Sequence, residues 1–293
     1  MAVKRWLSVA TCLLLLFCGL HFFWAAQKEH TLLHHIQNIP PEDRSALEGF
    51  FRILLLEEGG AYVLFGDKPV AFTAYFHSCE WNIRSKKRWD YYSENQKITN
   101  GWKTWKKYQN LFPSDHFALE CRAFGDGRSE ICLINRKKWV QIVQDNLTYF
   151  RSVLGGEVDP ANLLNDYLEG NTALFNLFHK HHVLLGIVLG FGTQNAQLFN
   201  EYAMRLGEDP HAIRPVPRKL PSDLVSDPYP LESLFGERRK GCQFLWLPYC
   251  LADPNSLETQ AIRQKYLKQR QEIHHRYTKE NFLEVSLKKF CLD

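Results

Sequence analysis

The chain begins with an apolar run from Trp6 to Ala26 that follows Lys4 and Arg5 and contains no charged residue. At a rise of ~1.5 Å per residue, a helix over this run would be ~31 Å long, close to the ~30 Å hydrocarbon core of a bilayer. The run therefore predicts an N-terminal transmembrane helix at residues 1–26. The membrane is then the first expected partner of the chain.

A cleaved signal peptide is the alternative to a retained anchor, and it needs small residues at the −3 and −1 positions of the cleavage site. Cleavage after Ala26 would place Trp24 at −3, and cleavage after Ala25 would place Phe23 there. Both side chains are bulky where the peptidase expects a small one. This pattern favours a signal anchor that is retained.

The flanking charges predict the orientation of that anchor. Lys4 and Arg5 precede the run, whereas Lys28 is the only Lys or Arg in the first dozen residues after it. By the positive-inside rule, the N-terminus would be cytoplasmic and the remainder of the chain would lie outside the cytoplasm.

Beyond the run, residues 27–43 predict a polar stem, and residues 44–293 predict one soluble α+β domain. Hydrophobic residues make up 45% of the chain and aromatic residues 14%, enough to bury a substantial core. The formal net charge is only +4, which is mild for a nucleic-acid-binding domain. Because the domain is also expected outside the cytoplasm, nucleic acid is not an expected partner.

Two hairpins are predicted from short runs rich in aromatic and β-branched residues. The first joins Ala61–Phe65 to Val70–Phe76, and the second joins Phe117–Phe124 to Ser129–Asn135 across an Asp-Gly turn. With Gln243–Leu247 as a fifth strand, the pattern predicts an antiparallel sheet of about five strands packed with several helices.

Helical periodicity is found in most of the remaining sequence. Asp159-Pro160 marks a helix start, and Asn255 with Glu258 three residues later forms a capping-box pattern. The segment 207–241 contains six prolines amid charged residues and predicts a surface loop or linker. The predicted helices are Arg44–Glu58, Gly101–Leu111, Lys137–Val153, Asp159–Gly190 with a break, Gln194–Leu206, Asn255–Tyr277 and Lys279–Lys289.

The predicted second hairpin brings two cysteines together. If Asp126 and Gly127 form a two-residue loop, the register places Cys121 directly across from Cys132 on one face of the ribbon. Disulfides could form in a compartment outside the cytoplasm, so this pair is the disulfide candidate; buried thiols are the alternative. Six of the eight cysteines lie beyond the apolar run, at Cys79, Cys121, Cys132, Cys242, Cys250 and Cys291.

Two short blocks carry a resemblance to a known group of proteins. The first comprises Gly49–Arg52, Glu57–Gly60 and Tyr62–Pro69, and the second runs from Leu184 to Ala196. Together they resemble an uncharacterised family of membrane or exported proteins of chlamydia-like bacteria. The resemblance implies a bacterial inner-membrane setting and implies no active site.

A basic and aromatic segment offers a candidate binding surface between Glu80 and Asn110. Basic charge next to aromatic rings can bind phosphate and stack on sugars or bases, and outside the cytoplasm anionic lipid or polysaccharide would be the fitting ligand. The alternative is a packed aromatic face with solvated lysines, since Trp102 and Trp105 are one helical turn apart. The candidate residues are Arg84, Lys86, Lys87, Arg88, Trp89, Trp102, Trp105, Lys106 and Lys107.

Two weaker patterns each have a structural alternative. Gly186, Gly190 and Gly192 precede a predicted helix whose N-terminal amides could hold an anion, but close helix packing is the favoured explanation of the glycines. The histidines at 179–182 and 274–275 lack the spacing of a metal motif. No metal and no cofactor is expected from the sequence.

The leading hypothesis is a single-pass protein of a bacterial inner membrane whose periplasmic domain is a structural or interaction module, with another envelope protein, anionic lipid or polysaccharide as partner. No spacing in the sequence indicates a nucleophile, a base and an oxyanion donor together. The competing hypothesis is an envelope hydrolase that acts on peptidoglycan or lipid with catalytic groups dispersed along the chain.

Overall fold

The computed structural model describes residues 23–24, 26–76, 86–123, 128–205, 256–279 and 281–292. For residues 74–76, 86–92, 202–205 and 279 it describes the backbone only. The predicted segments 207–241 and 243–247 lie outside the described residues, as does most of the apolar run.

Helices dominate the described part of the chain. A π-helical segment, Ile53–Glu57, continues the second helix, and a 3₁₀ turn, Gln109–Leu111, ends the fourth. The helices are α1 (26–38), α2 (Pro41–Arg52), α3 (Gly60–Phe65), α4 (Lys86–Tyr108), α5 (Arg136–Asp145), α6 (Leu147–Leu154), α7 (Pro160–Glu169), α8 (Leu174–Leu177), α9 (His182–Val188), α10 (Thr193–Arg205), α11 (Leu257–Lys279) and α12 (Phe282–Leu292).

The sheet is smaller than predicted. Within the described residues it has three antiparallel strands, β1 (Val70–Phe76), β2 (Phe117–Ala123) and β3 (Arg128–Asn135), in the order β1-β3-β2. The prediction of a five-stranded sheet is therefore wrong, and a mostly helical fold with a small sheet replaces it.

The segment predicted as the first strand, Ala61–Phe65, lies in helix α3. Gly59 adopts a left-handed φ of 75° and separates the π-helical segment from α3, a conformation that glycine accepts without a Cβ clash. Ala61, Tyr62 and Val63 are all fully buried, so apolar side chains surround the helix and the sequence shows no helical alternation. An apolar run this short does not distinguish a buried helix from a strand.

The predicted transmembrane helix also has no counterpart in the described residues. None of the helices described is both long enough and apolar enough to cross a bilayer. Of the apolar run, only Phe23, Trp24 and Ala26 are described.

Hydrophobic clusters cover both faces of the sheet. Ile131 and Leu133 of the central strand join a cluster formed with α1, α2, α3, α4, α11 and α12. Cys132 and Ile134, whose side chains alternate with these, join a second cluster formed with α5 to α10. Because both faces of β3 are covered, charged groups on this strand are forced into the interior.

The predicted polar stem is part of the folded core. Leu32, Ile36 and Ile39 are 4%, 2% and 2% exposed and belong to the first cluster. Near the start of α1, Glu29 forms an ion pair with Lys288 of α12 at 2.8 Å. Helix α1 is therefore attached to the rest of the fold by both apolar and ionic contacts.

The strands of the second hairpin are confirmed, but their predicted register is wrong by one residue. Cys121 pairs with Ile131, and Cys132 pairs with Glu120. Ala123 and Ser129 are the last paired residues of the two strands, and the five residues between them are an odd number. The predicted loop, Asp126 and Gly127, has an even number of residues. A one-residue shift moves every side chain to the opposite face, so Cys121 and Cys132 do not face each other, and both are thiols.

Candidate functional site

Lys68 lies in the loop between α3 and β1, and it is only 3% exposed. Its Nζ donates a hydrogen bond to the carbonyl oxygen of Val70 and lies 5.6 Å from the centre of the Phe191 ring. Burial lowers the pKa of Lys68 to about 7, against the opposing charge of Glu58. Such an amine is partly uncharged at neutral pH, as are the amines of nucleophilic and Schiff-base lysines.

Backbone encloses the aliphatic part of Lys68 on two sides. A Cβ added to Gly59 would lie 3.7 Å from Cε of Lys68, and one added to Gly190 would lie 3.7 Å from Cγ. Gly190 has a φ of 78°, and its carbonyl accepts a hydrogen bond from the Tyr266 hydroxyl at 3.1 Å. A substrate could reach the amine only after these loops separate.

Glu130, at the start of β3, is the second buried ionisable residue and is 2% exposed. Its Oε1 accepts a hydrogen bond from the Tyr167 hydroxyl at 3.2 Å and another from the backbone N–H of Leu174. Burial raises the pKa of Glu130 to about 7, although both hydrogen bonds act to lower it. The carboxyl group thus connects the sheet to α7 and α8 and is part-protonated at neutral pH.

Arg122, directly across the sheet from Glu130, binds the C-terminal end of α7. Its Nη2 donates to the carbonyl oxygens of Tyr167 and Leu168 at 3.1 and 2.5 Å, and its Nη1 pairs with Glu120 at 3.0 Å. A cation at this end of a helix satisfies the last carbonyls and complements the helix dipole. Arg122 also counts among the groups that lower the pKa of Glu130.

The Cys132 thiol interacts electrostatically with both buried groups. It is fully buried, and its pKa is raised well above the usual value, first by burial and then by the charge of Glu130. It in turn acts to raise the pKa of Lys68. A buried thiol with a raised pKa is unreactive, so Cys132 is not a nucleophile in this arrangement.

The last of these groups form a polar cluster inside the fold, which we call the buried polar cluster: Arg122, Glu130, Cys132 and Tyr167. It holds one carboxyl group that titrates near neutral pH. Its hydrogen bonds run to backbone groups and side chains of the same chain. Within the described residues, no group of three or more His, Cys, Asp or Glu side chains could hold a metal ion.

The predicted anion site ahead of α10 contains a carboxylate of the chain itself. Oε1 and Oε2 of Glu258 accept hydrogen bonds from the backbone N–H groups of Thr193 and Asn195, each at 3.0 Å. Gly192 has a φ of 86°, and a Cβ there would lie 2.5 Å from Cδ of Glu258. The glycine thus allows α11 to approach the start of α10, where the helix dipole favours a negative charge.

Two tryptophans of the predicted basic-aromatic surface, Trp102 and Trp105, belong to the core face of α4. Trp105 is 2% exposed, and its ring centre lies 5.5 Å from that of Phe51 and 5.9 Å from that of Phe112. Trp102 is half-buried, with its ring 6.3 Å from Phe50. Both rings contact core residues, and the use of this segment as a binding surface stays a prediction.

Two lysines of that surface, Lys106 and Lys107, lie on the solvent side of α4. Lys106 lies 6.0 Å from the Trp102 ring centre. Lys107 forms an ion pair with Asp43 of α2 at 2.7 Å, and Tyr108 donates to the same carboxylate at 2.6 Å. Of the other predicted residues, Arg84 lies outside the described residues, and only the backbone is described for Lys86, Lys87, Arg88 and Trp89.

The first histidine cluster lies in the connection between α8 and α9. His179 and Lys180 both have left-handed φ values, 52° and 60°, which is a strained conformation for residues other than glycine. The ring of His182 packs 4.8 Å from that of Phe175. Burial lowers the pKa of His181 and of His182, so both rings are predominantly neutral at pH 7.

Sequence patterns did not identify three residues as buried or part-buried charged side chains: Lys68, Glu130 and Glu258. A signal existed for Glu130, because it is the only charged residue in the apolar stretch Ser129–Ile134. Lys68 lies in a Gly-Asp-Lys-Pro turn, where a lysine is usually solvated. The role of Glu258 depends on a contact 65 residues away, which no local pattern can indicate.

Comparisons with protein-family models, with curated proteins and with solved structures find no match to this chain.

Proposed function

We propose that the chain is a single-pass protein of a bacterial inner membrane, with a cytoplasmic N-terminus and a periplasmic domain that acts as a structural or interaction module. The observation that carries this proposal is the attachment of α1 to the fold. Residues 23–24 and 26 at the end of the apolar run are helical, and Leu32 and Ile36 bury α1 in the first hydrophobic cluster. A segment held in the membrane would therefore position the domain directly at the bilayer surface.

The ionisable groups in the interior support a structural role. Arg122 and Glu258 satisfy backbone groups at helix ends, and Glu130 connects a strand to two helices. These are positions where a charge fixes the arrangement of elements, because an unsatisfied buried group would destabilise the fold. This fixed arrangement of helices and strands is what a module needs to present one surface to its partners.

The proposal is tested by expressing the full chain in a bacterium and separating membranes from soluble proteins. We expect the protein in the membrane fraction, resistant to extraction with alkaline carbonate. As a matched control, a chain with Leu14→Lys and Leu16→Lys in the apolar run should move to the soluble fraction. Wild-type protein in the soluble fraction, or release by carbonate, would contradict the proposal.

The attachment of α1 has its own test. Leu32→Asp with Ile36→Asp places two charges in a buried interface, so the domain should detach from α1 and become sensitive to protease there. Exposed residues His30 and Gln37 on the same helix provide the control, since changing them to Asp leaves the interface unaltered. Equal protease sensitivity of the two double variants would remove the structural basis of the proposal.

An envelope hydrolase acting on peptidoglycan or lipid remains the second candidate function. One observation favours it: the pKa of the Lys68 amine and that of the Glu130 carboxyl group are both about 7, as acid and base catalysts require. The purified full chain would be assayed on peptidoglycan and on phospholipid vesicles. Hydrolysis that is lost in Lys68→Met or Glu130→Gln would favour this candidate, and hydrolysis in neither assay would exclude these two substrate classes.

A further inference from the structure

Two histidines lie one helical turn apart on the solvent side of α1. His30 and His34 are both exposed, and residues four positions apart on a helix are neighbours, with ~5–6 Å between their Cβ atoms. Helical zinc motifs use this His-x-x-x-His spacing to place two imidazoles on one face. The histidines at 179–182 and 274–275 do not have this spacing.

The packing of α1 determines which way the two histidines face. Leu32 and Ile36 are 4% and 2% exposed and belong to the first hydrophobic cluster. A helix turns by ~100° per residue, so a position two residues away lies ~200° around its axis. His30 and His34 are therefore on the side opposite to the buried residues, and the core keeps them in solvent.

The His34 ring has one polar contact on this face. Nδ2 of Asn38 lies 3.0 Å from Nδ1 of His34 and 3.1 Å from its Nε2, so the amide is next to the ring edge that carries both nitrogens. Both residues are exposed, and exposed side chains change rotamer within picoseconds to nanoseconds. A ring nitrogen of His34 can thus turn toward His30 with the loss of one solvent-exposed contact.

The type of ligand selects the class of ion. Imidazole nitrogens suit Zn²⁺, Cu²⁺ and Ni²⁺, whereas Mg²⁺ and Ca²⁺ require oxygen ligands. The neighbouring carboxylate, Glu29, forms an ion pair with Lys288 of α12 at 2.8 Å. The pair therefore offers two nitrogen ligands, and water would complete the coordination of the ion.

We propose that His30 and His34 form a two-histidine site for a divalent transition-metal ion on the exposed face of α1. The ion would join two successive turns of the helix, so it would bind the helical form and stabilise it. These turns begin four residues after Ala26, the last residue of the apolar run. The site goes beyond the proposed function and does not depend on it, because both ligands belong to one helix.

The test is a calorimetric titration of Zn²⁺ into the purified full chain in neutral detergent. We expect one ion to bind per chain at this site. Binding should weaken as the pH falls, because protons compete with the metal for the same ring nitrogens. Mg²⁺ should give no corresponding signal.

Single variants separate this site from zinc that binds to other histidines or to thiols. His30→Asn and His34→Asn should each weaken binding at this site by roughly a hundredfold, because two linked ligands bind far more tightly than one. His275→Asn is the matched control. It removes an exposed imidazole of α11 that has no histidine one turn away, so binding should be unchanged.

An exchange variant tests the spacing itself. His34→Gln combined with Gln37→His keeps the same residue types but separates the two imidazoles by seven positions, ~10.5 Å along the helix. Gln37 is exposed, so the melting temperature without metal should equal that of the wild type. The exchange variant should bind zinc as weakly as the single variants.

Three outcomes would overturn the proposal. The first is unchanged zinc binding in His30→Asn and His34→Asn, and the second is wild-type affinity in the exchange variant. The third is one ion for two chains, which would identify a site shared between copies. Because the titration is made in detergent, none of these results bears on the proposed function, which membrane fractionation tests separately.

Discussion

The carboxylate of Glu258 caps helix α10 by accepting the backbone N–H of Thr193 at 3.0 Å, across 65 residues of sequence. Its second oxygen accepts the N–H of Asn195 at the same distance. This contact joins α11 to the helices that cover the opposite face of the sheet, so one carboxylate links the two hydrophobic clusters.

Glu258→Gln should destabilise the protein because it removes the charge and leaves one acceptor oxygen, that of the amide, where two were used. Charge-assisted hydrogen bonds and a helix N-terminus together predict a loss of about 1–2 kcal/mol. The melting temperature should fall by about 2–8 °C. Glu272→Gln, at an exposed position of the same helix, is the control, and an equal effect of the two substitutions would refute the cap.

Glu130 should make stability depend on pH. Its pKa in the folded protein, about 7, lies above the ordinary value of 4.5, so the folded state binds the proton more tightly than the unfolded state. The resulting stabilisation is complete below pH 4.5 and is lost as the pH rises to 7, by up to about 3 kcal/mol.

Thermal melts from pH 4.5 to 8 would measure this effect. Glu130→Gln cannot titrate, so the difference in melting temperature between variant and wild type should change across that range. Glu157→Gln, at an exposed site, should parallel the wild type. If Glu130→Gln also parallels the wild type at every pH, the raised pKa is wrong.

The cysteine substitutions Cys121→Ser and Cys132→Ser should have unequal effects on stability. Cys132 is fully buried and Cys121 is half-buried, so a hydroxyl at position 132 costs more, about 1–2 kcal/mol. The difference should be the same with and without a reducing agent. A disulfide would instead make both substitutions equally destabilising, and only under oxidising conditions.

Trp105→Ala should destabilise the fold by about 3–5 kcal/mol, because it removes a large buried ring from the first hydrophobic cluster. Trp102→Ala, at a half-buried position, should cost less. Lys106→Gln, on the solvent side of the same helix, should change the free energy of unfolding by less than about 0.5 kcal/mol. Comparable stability of all three variants would favour the interpretation of this segment as a binding surface.

The sequence predicted the elements whose signals are local. The Asp-Gly turn and its flanking runs identified β2 and β3, and Asp159-Pro160 identified the start of α7, where Asp159 accepts the N–H of Asn162 at 2.7 Å. In each case the residues that determine the element lie within a few positions of one another.

Predictions that depended on tertiary packing were wrong or incomplete. Ala61–Phe65 has strand-like composition, but α3 is buried on all sides, so no periodicity marks it as a helix. The register of β2 against β3 depended on a loop length that Asp126-Gly127 did not determine. The capping-box pattern predicted that Glu258 contacts the start of its own helix, α11. Its carboxylate instead accepts hydrogen bonds from the backbone at the start of α10, which the fold brings within reach.

The most direct test of the central claim is a C-terminal topology reporter on the full chain. One fusion carries a phosphatase that is active only after export, and the other carries a fluorescent protein that folds only in the cytoplasm. We expect phosphatase activity without fluorescence, which would put the domain at the periplasmic surface of the membrane. Fluorescence without phosphatase activity would contradict it.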